Sequence, residues 1–303
     1  HAGEVRKAPF QRAAKKLGAS KLLVDEFKSW DLSQVRDDMV KDEEDWAGLQ
    51  REIAEHKYDI AIINLPTNTW SRAKGHKFGP RPMRSAVHPW GFPWNVGARE
   101  KAVTQANAMV RRMMDVADQM DKAGHWFFLS HPEDLGSDPK HEHRAASIFQ
   151  LPAMVDLRKR PGTAEGATFL CRYGADWAGP TRVVSNLTNL DLLCNCMGAP
   201  VFGAEQEYLG PLPKWCGHRH KPLLGKAGKS LFNSERALVL PVEFCTKVAE
   251  IISLNLLQRP CGGDEAGAAE PSMAADESRP LSAVSPNIQV RGDIDHLMKA
   301  KAE

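Results

Sequence analysis

Two short stretches hold side chains whose types and spacing could do chemistry. CNC (194–196) and CGHRH (216–220) set Cys194, Cys196, Cys216, His218 and His220 within 27 residues of chain. Zinc takes four thiolate or imidazole ligands in a structural site, and two close groups separated by a loop are the usual way to supply them. C-x-C is tighter than the usual spacing, so not all five can bind one ion. The expected set is Cys194, Cys196, Cys216 and either His218 or His220, holding a structural zinc. The alternative is a pair of buried thiols beside histidines on a basic surface. The second stretch is YDIAIINLPTNTWSRA (58–73), a buried-strand pattern that runs into Pro66 and a polar, basic loop. Thr67, directly after Pro66, stands where a strand-end nucleophile would be expected.

The loop behind Thr67 is itself unusual. No acidic residue occurs between Asp59 and Glu100, while Arg72, Lys74, Lys77, Arg81, Arg84 and Arg99 are all present. Trp70, Phe78, Trp90, Phe92 and Trp94 are interleaved with them. Cations with aromatics at a strand rim suit phosphate contact and base stacking, which makes Arg72, Lys74, Lys77, Arg81, Arg84 and Trp70 candidate nucleic-acid-binding residues. The Trp-rich segment 88–94 could equally take a protein partner. A third reading folds the proline-rich loop onto the body, with its tryptophans as anchors and its arginines solvated.

Several elements must position these groups. Lys21–Val24 reads as a short first strand, and 37–56 as a helix with acids at its start. Tyr58–Asn64 is a strand with near-continuous apolar character. AREKAVTQANAMVRRMMDVADQMDKAG (98–124) is the clearest helix, its methionines on one core-facing stripe and Gly124 a stop. HWFFLS (125–130) reads as another buried strand, and 240–258 as an apolar helix. Strands alternating with helices predict an α/β fold with a mostly parallel sheet and ligands beyond the carboxyl ends of the strands. The loops after Asn64 and after Ser130 would then share one rim. The expected organisation is a basic segment (1–20), an α/β core (21–175), a Cys/His-containing irregular subdomain with a closing helix (176–258), a linker (259–287) and a tail (288–303).

The blocks NLPTNTWSRA, GPRPMRSAVHPWGFPW, FFLSHPEDLG, FLCRYGADWAGPTRVVSNLTNL and YLGPLPKWCGHRHKPLLGK, in this order, resemble divergent cytosine-C5 DNA-methyltransferase-like domains of viruses and of mobile elements in protists and algae. The likeness covers about residues 55–255 and lies more in block order than in any one motif. It implies a Rossmann-like, methyltransferase-type sheet, S-adenosylmethionine as methyl donor and a flipped cytosine as substrate. In that group a strand-end Cys attacks the ring and a Glu after the next strand holds it. Here Pro66 matches, Leu65 replaces the first proline, Thr67 falls at the Cys position and Ser130 at the Glu position. A glycine-rich donor-binding block is not evident, so S-adenosylmethionine is not expected to bind. Asn64 and Pro66 also fit a degenerate motif of exocyclic-amine methyltransferases, which Leu65 and Thr67 do not.

The expectation is therefore a catalytically degenerate methyltransferase-like module that binds nucleic acid or serves as a scaffold in a larger assembly. The alternative is an active S-adenosylmethionine-dependent DNA or RNA methyltransferase. Composition leaves both open: 303 residues, 42% hydrophobic and 26% charged, with a formal net charge of +2. No apolar run approaches the roughly 20 residues of a membrane span. Six cysteines in this length do not suggest a disulfide scaffold, so a reducing compartment, nuclear or organellar among the options, is expected.

Overall fold

The computed structural model describes residues 39–65, 67, 69–72, 81–138, 144–220 and 240–258. All belong to one compact unit. The proposed strand at Lys21–Val24, the basic segment, the linker and the tail lie outside the described residues.

A helix α1 (Met39–Ala54) leads into strand β1 (Ile60–Asn64), then helix α2 (Ala98–Lys122) and strand β2 (Trp126–Pro132). A short helix α3 (Pro152–Arg158) precedes β3 (Ala164–Phe169) and β4 (Pro180–Ser185). After a two-residue strand β5 (Cys196–Met197) comes a small hairpin, β6 (Val201–Phe202) with β7 (Tyr208–Gly210), and finally helix α4 (Val242–Gln258). None of the described helices is long and apolar enough to cross a membrane.

The fold is α/β, but the sheet corrects the expected mostly parallel arrangement. Its order is β1-β2-β4-β3-β5, with one parallel pair, β1–β2, and three antiparallel pairs. Connection length is the physical reason. Parallel neighbours need a long crossover, usually helical; β1 and β2 have one in α2, whereas β2 and β3, joined through α3, are held apart by β4. β3 and β4 are joined through a 3-10 turn (Leu170–Tyr173) and a short loop, so the chain simply reverses. Because β4 runs against both β2 and β3, strands β1, β2 and β3 all point the same way. Their carboxyl ends share one edge.

Both faces of the sheet are covered. Phe127 and Leu129 of β2 and Val184 of β4 join α1, α2 and α3 in one core, through Leu49, Ile53, Val110, Met114, Met120, Met154 and Leu157. Phe128 and Val183 turn the other way and pack on α4 through Phe244, Val248 and Ile251. The strand period of two explains the division. The methionine stripe of α2 is core packing, as expected. The helix ends at Gly124 with the paired hydrogen bonds Gly124 N to Asp121 O (3.0 Å) and His125 N to Met120 O (2.9 Å) of a Schellman cap. Asn255 of α4 ties this helix to the turn after β4, accepting from Thr188 N and Thr188 Oγ1 at 2.9 Å.

One fully buried cation sits on the first face. Arg182 of β4 donates through Nε to Glu133 Oε1 (3.0 Å) and through Nη1 to Glu165 Oε2 and Gly198 O, both at 2.7 Å. Its side chain and that of Glu133 are 0% exposed. Glu165 is also held bidentately by Arg158, at 2.9 and 2.8 Å. Beside this network Asp134 accepts from Arg144 (2.9 Å) and Gln150 (2.8 Å).

A buried charge stripped of its partner is among the costliest defects a fold can carry. Arg182→Met is expected to destabilise the protein by about 3–5 kcal/mol in urea denaturation. Burial, opposed by Arg182, pushes the Glu133 carboxyl from its ordinary 4.5 up to about 7. The folded chain therefore holds this proton more tightly than the unfolded chain. That stabilisation is complete below pH 4.5 and is lost as pH rises through 7. Denaturation of Glu133→Gln across this window is expected to lack the corresponding fall in stability.

Candidate metal centre and the strand-end rim

The edge where β1, β2 and β3 end carries most of the candidate residues. Asn64 and Ser130 lie opposite each other in the parallel register, so the two strand-end loops do share a rim. Ser130 Oγ donates to Asn64 Oδ1 at 3.4 Å, a long contact. The Thr67 hydroxyl is buried without a hydrogen-bond partner among the described residues. Pro66, Lys74 and Lys77 lie outside the described residues.

The basic loop is folded in rather than displayed. Trp70 is buried, with the Arg84 guanidinium 3.9 Å from its ring centroid. Arg84 is itself buried and donates to Thr69 Oγ1 (2.7 and 3.1 Å), Asn107 Oδ1 (2.6 Å), Pro89 O (3.0 Å) and Val103 O (3.3 Å). Burial lowers its pKa to about 10. Arg84 and Trp70 therefore bind the loop to α2 and are not available to phosphate or base. Arg72 donates to Gly136 O at 2.9 Å and lies 3.6 Å from Asp138. Arg81 is exposed. In the Trp-rich segment Trp90 packs on the core, while Phe92 is buried and stacks on Trp94 at 4.7 Å and 10°. Trp94 is 64% exposed, with Val87 and Val96 exposed nearby in sequence.

On the same edge, four potential ligands converge: Cys171, Cys216, His218 and His220, their donor atoms all within 4.8 Å of one another. Cys171 comes from the 3-10 turn that ends β3, and the other three from the segment after the β6–β7 hairpin. Gly217, between Cys216 and His218, adopts a φ of +87°, a left-handed conformation that side chains disfavour. Cys171 Sγ lies 3.6 Å from His218 Nδ1, and Cys216 Sγ 3.1 Å from His220 Nε2. Ligand atoms around a tetrahedral zinc stand about 3.3–3.8 Å apart, by its bond lengths. The outer nitrogen of His220, Nδ1, lies 3.0 Å from the Asp176 carbonyl oxygen. Such a contact fixes the tautomer with Nε2 free to ligate.

The thiols respond to this arrangement. Desolvation opposes ionisation of Cys216, but hydrogen bonds from the His218 backbone, His220 and Cys171 win and bring it down to about 7. Burial, then the neighbouring Cys216, pushes Cys171 up. One thiolate is thus favoured in the protein alone, and a metal cation would favour both.

Two expected ligands do not join this group. Cys194 is buried in the α4-side core, where desolvation drives its thiol to about 12. Cys196 is on β5, paired with Ala167. The tight C-x-C stretch serves packing and strand pairing: Cys194 precedes β5 and sits in the core, and Cys196 lies within the strand. Cys171 was missed because it lies 47 positions from His218 in sequence. Only the return of the chain past the end of β3 unites them.

Thiol labelling of metal-free protein checks the assignment. Cys216 should alkylate with a half-maximal rate near pH 7 and Cys194 only after unfolding. Added metal should protect Cys171 and Cys216 together and leave Cys196 unaffected.

No protein-family model matches the chain, and no curated protein or solved structure is significantly similar to it.

Proposed function

We propose that the chain is a catalytically degenerate, methyltransferase-like module that works as a scaffold, with a structural zinc at its carboxyl edge. The observation that carries this is the chemistry of the rim. A β-α-β unit ends there in Asn64, Thr67 and Ser130, the positions that the block resemblance would give to catalysis. A threonine hydroxyl needs an adjacent base to attack, whereas a cysteine is already partly thiolate near neutral pH. The buried carboxylate beyond β2, Glu133, is engaged by Arg182. The Ser130 hydroxyl faces Asn64 rather than presenting a carboxylate to a base.

Scaffold work is favoured over nucleic-acid contact by the fate of the basic loop. Arg84 and Trp70 are consumed by packing and Arg72 is tied to Gly136, which leaves Arg81, of the candidates among the described residues, for phosphates. Exposed Trp94, Val87 and Val96 give the same loop apolar surface of the kind protein interfaces use. Zinc is the metal that two thiolates and two imidazoles favour. With all four positions filled by protein, such a site is structural rather than catalytic.

Calorimetric titration with S-adenosylmethionine should give no binding at millimolar donor. Binding accompanied by methyl transfer to DNA or RNA, abolished in Asn64→Ala, would establish an active methyltransferase instead. Metal analysis should find one equivalent of zinc, lost in Cys171→Ser; metal-free protein of unchanged stability would remove the zinc.

A further inference from the structure

We propose that metal in the Cys171, Cys216, His218 and His220 centre is a latch that holds the β6–β7 hairpin over the loop following β2, so that metal occupancy controls access to this part of the rim. The inference rests on the zinc assignment above and adds a consequence to it.

The hairpin is poorly equipped to hold itself in place. β6 has two residues and β7 three, and their pairing register is irregular. Val201 is 55% and Leu209 59% exposed, and the aromatic pair Phe202 and Tyr208 is only half-buried. An isolated hairpin of this kind is marginal in water. Its entry is held from the core side, where Gly198, three residues before β6, accepts from Arg182, and two further anchors act on its turn and exit.

The first anchor is the loop after β2. Ser137 N donates to Gln206 O at 2.7 Å, and Gly136 and Ser137 bridge to Glu207. The Arg144 guanidinium pairs with Gln206 and lies 4.3 Å from the Phe202 ring centroid. Contact is close enough that a Cβ on Gly136 would stand 2.3 Å from Gln206 O and 3.0 Å from the Phe202 ring. These are mostly polar contacts near the surface, each worth little alone.

The second anchor is the metal centre. Only residues 211–215 separate the end of β7 from Cys216, and within them Leu212 is buried and donates to Tyr208 Oη at 3.0 Å. Ligation therefore fixes the hairpin's exit strand to the turn at the end of β3, on the same edge as Gly136. Metal-binding free energy in such a site is expressed as ordering of the chain that supplies the ligands. Without metal, three of the four ligands sit on a short segment that follows a single buried anchor, Leu212. The hairpin then opens while the doubly covered sheet remains closed.

Hydrogen exchange on the full chain, zinc-loaded and after chelation, tests this. The Ser137 and Gly203 amides, which donate to Gln206 O and Glu207 O, should exchange about tenfold faster or more once metal is removed, and equally in Cys171→Ser. The β1–β2 ladder should be unchanged in both. Exchange at Ser137 and Gly203 that ignores a verified loss of zinc would overturn the latch and leave the zinc assignment standing. Equal acceleration of the β1–β2 ladder would also overturn it, because the metal would then hold the whole fold. Failure of the wild-type chain to take up zinc would overturn the zinc assignment and the latch together.

Discussion

A guanidinium fully buried from the surface governs the carboxyl edge of this sheet. Arg182 lies in β4, between β2 and β3, and its charge must be met from both sides. Glu133 answers from the end of β2, Glu165 from β3 and the Gly198 carbonyl from the turn after β5. These three segments are thereby fixed relative to one another. Arg158 then closes on Glu165, which orients the short helix α3 against the sheet. Desolvation of such a group is expensive, and three acceptors meet its Nε and Nη1, while Nη2 has no hydrogen-bond partner among the described residues. The same demand withdraws Glu133 from the chemistry that its position beyond a parallel strand would suggest.

The cluster of Cys171, Cys216, His218 and His220 stands on the edge so defined. Cys171 is placed by the reversal between β3 and β4, and the opposing ligands arrive from beyond the hairpin. Sheet topology, rather than local spacing, makes the donor set. The contrast with Cys194 and Cys196 is instructive: neighbours in sequence separate into core and strand, while residues distant in sequence meet.

Much of the sheet's centre was legible in the residues. The apolar runs in HWFFLS and before Asn64 and the stripe from Val103 to Met120 are local patterns that survive folding, and the shared rim of β1 and β2 follows from their helical crossover. What was not legible depends on distant partners. TRVVS shows no sign that its arginine will be buried, because the balancing carboxylates lie on other strands. The insertion of β4 between β2 and β3 leaves no local trace, which is why a mostly parallel sheet was expected. Composition also misplaced Arg84 and Trp70: it counts cations and aromatics in a loop but not the direction in which they point.

Arg84 shows what this means for substitution. A charge inventory treats it as interchangeable with Lys77, and a lysine there would be scored as conservative. The guanidinium uses three nitrogens at once, meeting Thr69, Asn107 and two carbonyls in a fan while its flat face covers Trp70. An ammonium offers a single point of charge and no plane. Arginine is required at this position for its shape, and the loop's positive charge there is incidental.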